Sequence, residues 1–186
     1  VSALPAGIPD EHGFSSDRLQ RLDSTLNGYV DGDDLAGGVV LIARDGHILH
    51  QRAFGYRDRE AGDAMQQDDL FRIASQTKAI VSTAVMMLQE QGELLITDPL
   101  HQYLPEFEHT TVAVPDEDGG YDVVPAQRPI TIRDLLTHTA GIGYGNGVAA
   151  DRWAEAGLQG WYMAGHDEPI RETVRRMASL PFDAHP

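Results

Sequence analysis

The chain contains no cysteine, no long apolar run and few basic residues: 14 Lys and Arg stand against 29 Asp and Glu. The lack of cysteine excludes disulfides, thiol nucleophiles and thiolate metal sites. No stretch approaches the ~20 apolar residues that a membrane-crossing helix needs, so no membrane span is expected. The formal charge of −15 disfavours nucleic acid and anionic membranes as partners, since both demand a cationic face. No pair among the eight histidines stands four residues apart; the helical zinc spacing is missing and no metal is expected. No cofactor is expected either. Gly141-Ile142-Gly143-Tyr144-Gly145-Asn146-Gly147 superficially suggests a phosphate loop, but it follows a helical segment and not a strand, which fails the dinucleotide geometry. Asp116, Glu117 and Asp118 read as a solvated loop, with weak calcium binding as the alternative.

What remains is an ordinary globular composition, 41% hydrophobic and 23% charged over 186 residues, without repeats or low-complexity tracts. The first residue is Val1. A removed leader and a sequence that starts mid-chain both fit, so a periplasmic or secreted location and a cytoplasmic one stay open.

Ser15 and Ser16 look like a helix N-cap, with Leu19, Leu22, Leu26 and Tyr29 following at helical spacing. Gly38-Val39-Val40-Leu41-Ile42-Ala43 reads as a strand, Asp45-Gly46 as a two-residue hairpin turn, and His47 to Phe54 as the return strand. Ala79 to Gln91 is the clearest helix. Its apolar residues occupy more than one face, which predicts a buried central helix closed by Gly92. Asp98-Pro99 should start a short helix that Pro105 ends. Residues 109–129 read as an irregular excursion with room for two short strands. Thr131 to Thr139 should be a helix stopped by Gly141, and a last helix should begin at Asp167-Glu168-Pro169 and end at Pro181, with Ile170, Val174 and Met177 on one face. Trp153, Trp161, Tyr162 and Met163 read as helical-domain core, with the wall of a substrate cleft as the alternative. A lone hairpin does not make a stable sheet, so the sheet needs more strands than this chain plainly supplies.

The chemistry concentrates in Phe71-Arg72-Ile73-Ala74-Ser75-Gln76-Thr77-Lys78. Ser75 and Lys78 are three residues apart at the head of a helix, a spacing that puts both side chains on one face. A serine hydroxyl must lose its proton as it attacks. A lysine can accept that proton only when uncharged, which burial and the positive end of a helix dipole both favour. The Ser75 backbone N–H is a natural half of an oxyanion hole.

This run, with the apolar helix after it, Gly92-Glu93-Leu94 and Asp98-Pro99-Leu100, resembles the class C β-lactamase-like serine hydrolases. That superfamily includes penicillin-binding D-alanyl-D-alanine peptidases and a branch of carboxylesterases (family VIII type). Ile130-Thr131-Ile132-Arg133-Asp134-Leu135-Leu136-Thr137-His138-Thr139-Ala140-Gly141-Ile142 is similar to its Leu-Leu-x-His-Thr-Ser-Gly segment. The resemblance runs from about Leu35 to Pro186. It implies an α/β (α+β), β-lactamase/transpeptidase-like fold, an antiparallel sheet flanked by helices with an inserted helical domain. Residues 1–74 would be the N-terminal helix and hairpin of the α/β domain, and residues 75–186 the nucleophile helix and helical domain. It implies Ser75 as the acylated serine and Lys78 as the motif lysine. It makes His138 a structural helix histidine, and it leaves Tyr144 either lining the acyl pocket or an ordinary loop residue.

Two motifs of the superfamily are missing: the Tyr-x-Asn-like tyrosine motif and the Lys-Thr-Gly-like strand. Leu180-Pro181-Phe182-Asp183-Ala184-His185-Pro186 looks like the start of the turn that precedes the tyrosine. The chain is therefore expected to be the N-terminal part of a larger hydrolase, inactive and poorly folded alone. Its partner would be a complementary C-terminal chain or segment of the same precursor, carrying the tyrosine and the second oxyanion donor. The expected substrate is a small ester with a short acyl chain. A β-lactam or D-amino-acid amide is the alternative, and a catalytically dead binding homologue the third.

Overall fold

A computed structural model of the chain describes residues 4–160 and 167–186. Trp161, Tyr162, Met163 and His166 lie outside the described residues. The chain divides into two compact units, Val1–Ile73 and Ala74–Pro186.

The first unit is a helix on a small sheet. Helix α1 spans Ser16–Asp31, and the Ser15 hydroxyl caps it by accepting the Arg18 N–H at 3.4 Å. Strands β1 (Gly37–Arg44) and β2 (His47–Asp58) pair antiparallel through the Asp45-Gly46 turn. Both turn residues have positive φ, 50° and 74°, as the tightest hairpin turn requires. A two-residue β3, Asp63–Ala64, pairs with the far end of β2. At the near end, Ala6 makes a parallel bridge with Ile48. Gly55 (φ 68°) has no room for a side chain: a Cβ there would run into the Ala36 carbonyl. Leu19 of α1 and Leu49 of β2 are the buried residues among those described in this unit. Polar groups tie the helix to the sheet, since Asp23 of α1 receives both His50 at 2.9 Å and Arg52 at 3.0 Å.

The second unit opens with a 3₁₀ turn, Ala74–Gln76, running directly into helix α2, Thr77–Glu90. Two more 3₁₀ turns follow, Leu100–Gln102 and Pro105–Phe107. The first of these already ends at Gln102, so the expectation that Pro105 ends it is corrected: Pro105 opens the second turn, because its fixed φ suits a first helical position. Residues 109–129 carry a regular hairpin of β4 (Thr111–Pro115) and β5 (Tyr121–Pro125). Helix α3 is short, Ile132–Leu136, then come α4 (Ala150–Glu155) and α5 (Ile170–Ala178). Ile170 is 81% exposed, while Val174 and Met177 pack on the core.

The core of this unit gathers on Trp153 and Phe182, both essentially fully buried, with Ile130 and Leu158. The Trp153 indole N–H donates to the Pro181 carbonyl at 2.9 Å, so the largest core side chain leaves no donor unpaired. Phe182 joins the hairpin as a parallel rung: its N–H donates to Thr111 and its carbonyl accepts from Ala113, both at 2.9 Å. The segment after Leu180 is thus part of the core as well as the start of a turn.

Candidate active site

Ser75 lies in the 3₁₀ turn that leads into α2, and Lys78 in the first turn of α2 proper. The Lys78 Nζ donates to the Ser75 Oγ at 2.9 Å. The three-residue spacing does what helical geometry demands of it, and places amine and hydroxyl in direct contact. Ala74, the residue before the serine, has φ 44°. An L-residue with a Cβ pays about 1–2 kcal/mol to sit in this left-handed region. Such strain collects where a backbone must aim a reacting group.

The expected shelter is missing from this unit. Helix α2 has no buried residue, and Ser75 and Lys78 are both exposed. The expectation of a buried central helix is thereby corrected. The helix is apolar enough for it, with Ile80, Val81, Met87 and Leu88 all more than 40% exposed, but no element of residues 74–186 among those described covers it.

A long apolar groove of about 860 Å³ runs along α2. Lys78, Val81 and Val85 form one wall, and Leu104, Leu135 and His138 stand on the other side. His138 is not a helix residue. Helix α3 ends at Leu136, and His138 follows in a left-handed conformation with φ 60°. This corrects the helix expected to reach Thr139, and it turns the imidazole to the groove shared with Lys78.

Asp134 holds this turn. It is 5% exposed and accepts from Arg128 through both oxygens, and from the Thr131 N–H and hydroxyl at 2.8 and 2.7 Å. The Thr131 hydroxyl accepts the Asp134 N–H in return, completing a capping box at the start of α3. The Arg128 guanidinium first, and the Thr131 donors after it, hold the Asp134 carboxyl far below the usual carboxylate range, against the upward push of burial.

Tyr103 also lines the groove, a neighbour that no sequence motif singles out. Its phenol donates to Asp98 at 2.6 Å, which pushes the Tyr103 pKa up and pulls the Asp98 pKa down. The Tyr103 signal was an Asp five residues upstream, too common a pattern to single out.

Tyr144 is 49% exposed, and the groove lining does not include it. Its carbonyl accepts the Gly160 N–H at 2.8 Å. The glycine-rich bend around it is anchored. Asp183 donates its N–H to the Gly141 carbonyl at 2.9 Å, and a Cβ on Gly141 would collide with the Ala184 carbonyl. Gly143 and Gly147 leave room for the Asp183 carboxylate.

The beta-lactamase family pattern matches residues 22–186. The chain belongs to the beta-lactamase family. This places it in a serine hydrolase superfamily whose fold, antiparallel sheets with helices, it carries in part. Among its beta-lactamase-family relatives, esterase EstB of Burkholderia gladioli is 39% identical over 190 residues, which cover 98% of this chain and 45% of EstB. The solved structure of EstCE1, a hydrolase with promiscuous acyltransferase activity, superimposes with a TM-score of 0.75 at 30% identity, over 90% of this chain and 41% of that one. Simvastatin synthase (LovD) from Aspergillus terreus shares the fold at a TM-score of 0.70 and 23% identity, over 92% of this chain and 43% of that one. The chain thus spans less than half the length of these relatives. No helix among the described residues is long and apolar enough to cross a membrane.

Proposed function

We propose that this chain supplies the nucleophile of an acyl-enzyme serine hydrolase, a carboxylesterase acting on short-chain esters. The observation that carries the reading is the 2.9 Å hydrogen bond from Lys78 to Ser75. Its support is a set of relatives that includes EstB and EstCE1. In the first step a bond forms between Ser75 Oγ and the ester carbonyl carbon, and the hydroxyl proton passes to the uncharged Lys78 amine. The Ser75 backbone N–H holds the oxyanion. Collapse breaks the bond to the alcohol oxygen, which takes the proton from Lys78. Water then attacks the acyl-enzyme and releases the acid, restoring the serine. A complementary segment, corresponding to the part of the relatives that this chain does not span, supplies the tyrosine and the second oxyanion donor. The open state of α2 supports that need, because Ser75 and Lys78 both stand exposed to water.

An amide substrate, a β-lactam or a D-amino-acid peptide, is the second reading. It draws on relatives such as the putative penicillin-binding protein PbpX of Bacillus subtilis, 36% identical over 155 residues. Both readings share the first half-reaction. In the completed protein a fluorophosphonate probe should label Ser75, and the label should vanish in Ser75→Ala. Nitrophenyl acetate should be hydrolysed faster than a chromogenic cephalosporin. Labelling at another residue would overturn the assignment, and the reverse substrate order would select the amide reading.

A further inference from the structure

We propose that Asn146, on the crest of the glycine-rich bend, is a deamidation site at which water converts the side chain to aspartate and isoaspartate. The proposal stands apart from the hydrolase reading. The chain has two asparagines, Asn27 and Asn146, and each precedes a glycine. Asn-Gly is the pair in which the next backbone nitrogen meets least obstruction on its way to the side-chain carbonyl, because glycine carries no Cβ. By sequence the two sites are equal. Their surroundings separate them.

Asn27 is half-buried inside α1. The Gly28 N–H is an interior helix donor, committed to the carbonyl four residues back. The Asn27 side-chain oxygen accepts from Arg52 at 3.3 Å. Attack there requires the helix to open. Asn146 is exposed and lies outside any helix or strand. Among the described residues, neither its side chain nor the Gly147 N–H makes a hydrogen bond. Gly147 is tied only through its carbonyl, which accepts the Ala150 N–H at 3.2 Å. The crest rises between fixed points: Gly145 is buried with its carbonyl accepting from the Gln159 side chain at 3.0 Å, and Ala149 is fully buried. The attacking nitrogen has no hydrogen bond to break.

In the reaction the Gly147 nitrogen gives its proton to solvent base and bonds to Asn146 Cγ. The bond from Cγ to the side-chain nitrogen breaks, and that nitrogen takes a proton and leaves as ammonia. One water opens the cyclic imide at either carbonyl and leaves aspartate or isoaspartate. The product carries a new negative charge beside Gly147, where the Asp183 carboxylate already lies: a Cβ on Gly147 would come within 2.0 Å of its Oδ1. Like charges this close repel. Isoaspartate also lengthens the main chain by a methylene. Both changes press on Asp183, whose N–H holds the bend through the Gly141 carbonyl at 2.9 Å. Deamidation at Asn146 therefore loosens the bend.

The test is to age the completed protein at physiological temperature and mildly alkaline pH, then digest it with trypsin. Asn27 falls in the peptide 22–44 and Asn146 in the peptide 134–152. Mass spectrometry and isoaspartate methyltransferase labelling read each site. Conversion at Asn146 should be at least about tenfold faster than at Asn27, since an interior helix turn opens rarely. The aged protein should melt at a lower temperature than the fresh one. Asn146→Gln should show no such fall, because its larger ring closes far more slowly. In concentrated urea the two sites should react at similar rates, since only the fold distinguishes them. An intact Asn146 after ageing, equal rates in the folded protein, or a difference that persists in urea would overturn the site. Conversion without a fall in melting temperature would overturn the coupling to Asp183.

Discussion

Arg128 grips both carboxylate oxygens of Asp134, at 2.6 and 2.9 Å, and through Asp134 it fixes the turn that brings His138 to the groove beside Lys78. Asp134 is nearly buried while Arg128 stays half exposed. Removing the carboxylate charge therefore strands a partner that can rehydrate. Asp134→Asn should cost about 3 kcal/mol, the lower end for breaking a buried pair, read as a shift in the urea midpoint.

The pH dependence of that contribution follows from the lowered pKa of Asp134. A carboxylate with a depressed folded pKa stabilises the native state above its unfolded pKa, ~3.9 for Asp. The contribution is lost as pH falls through the folded value. The stability gap between the parent chain and Asp134→Asn should stay constant from about pH 7 to 5 and shrink below about pH 4. A gap that narrows near neutrality would point to a different titrating group.

Substitutions in the glycine-rich bend should differ sharply from one another. Gly141 has φ 78°, and its missing side chain faces the Ala184 backbone carbonyl, which cannot swing away. Gly141→Ala should destabilise by about 2–4 kcal/mol, the range of backbone strain combined with a clash. At Gly143 the obstacle is the Asp183 carboxylate, the end of an exposed side chain. Gly143→Ala should cost less than about 1 kcal/mol. Thermal denaturation of the two variants side by side checks the contrast.

Trp153 combines burial with a donor. Trp153→Phe keeps an aromatic ring near Phe182 but removes the N–H that reaches the Pro181 carbonyl. The orphaned carbonyl and the lost volume should together cost about 2–4 kcal/mol. Fluorescence-independent detection, such as far-UV circular dichroism during urea unfolding, reads this without the lost indole signal.

At the site, Lys78→Ala should lower the rate of Ser75 acylation in the completed protein by about 10²–10⁴-fold, the usual worth of a positioned proton acceptor. Ala74 tests the strained elbow. Glycine takes φ 44° freely, so Ala74→Gly should leave the melting temperature within a few degrees, while Ala74→Val should lower it, since a β-branched residue resists that φ. Burst kinetics with a nitrophenyl ester would measure the first prediction, and thermal denaturation of the two Ala74 variants the second.

The sequence by itself determined the local elements and the pairing of Ser75 with Lys78. The Asp45-Gly46 turn, the Ser15 cap and the three-residue step from Ser75 to Lys78 each depend on a few neighbouring residues, so they are legible in a linear reading. Only the tertiary structure decided what required distant partners. Thr139 was expected inside a helix, but the helix stops at Leu136, His138 takes a left-handed φ of 60°, and the Thr139 N–H reaches back to the Asp134 carbonyl at 2.8 Å. Phe182 read as the start of a turn, yet Thr111 and Ala113 draw it into the core. Helix α2 carries the apolar surface of a central helix, and periodicity registers that surface. Whether anything lies against it is a property of the assembled chain, because burial is set by what arrives from elsewhere in the fold and not by the residues that await it.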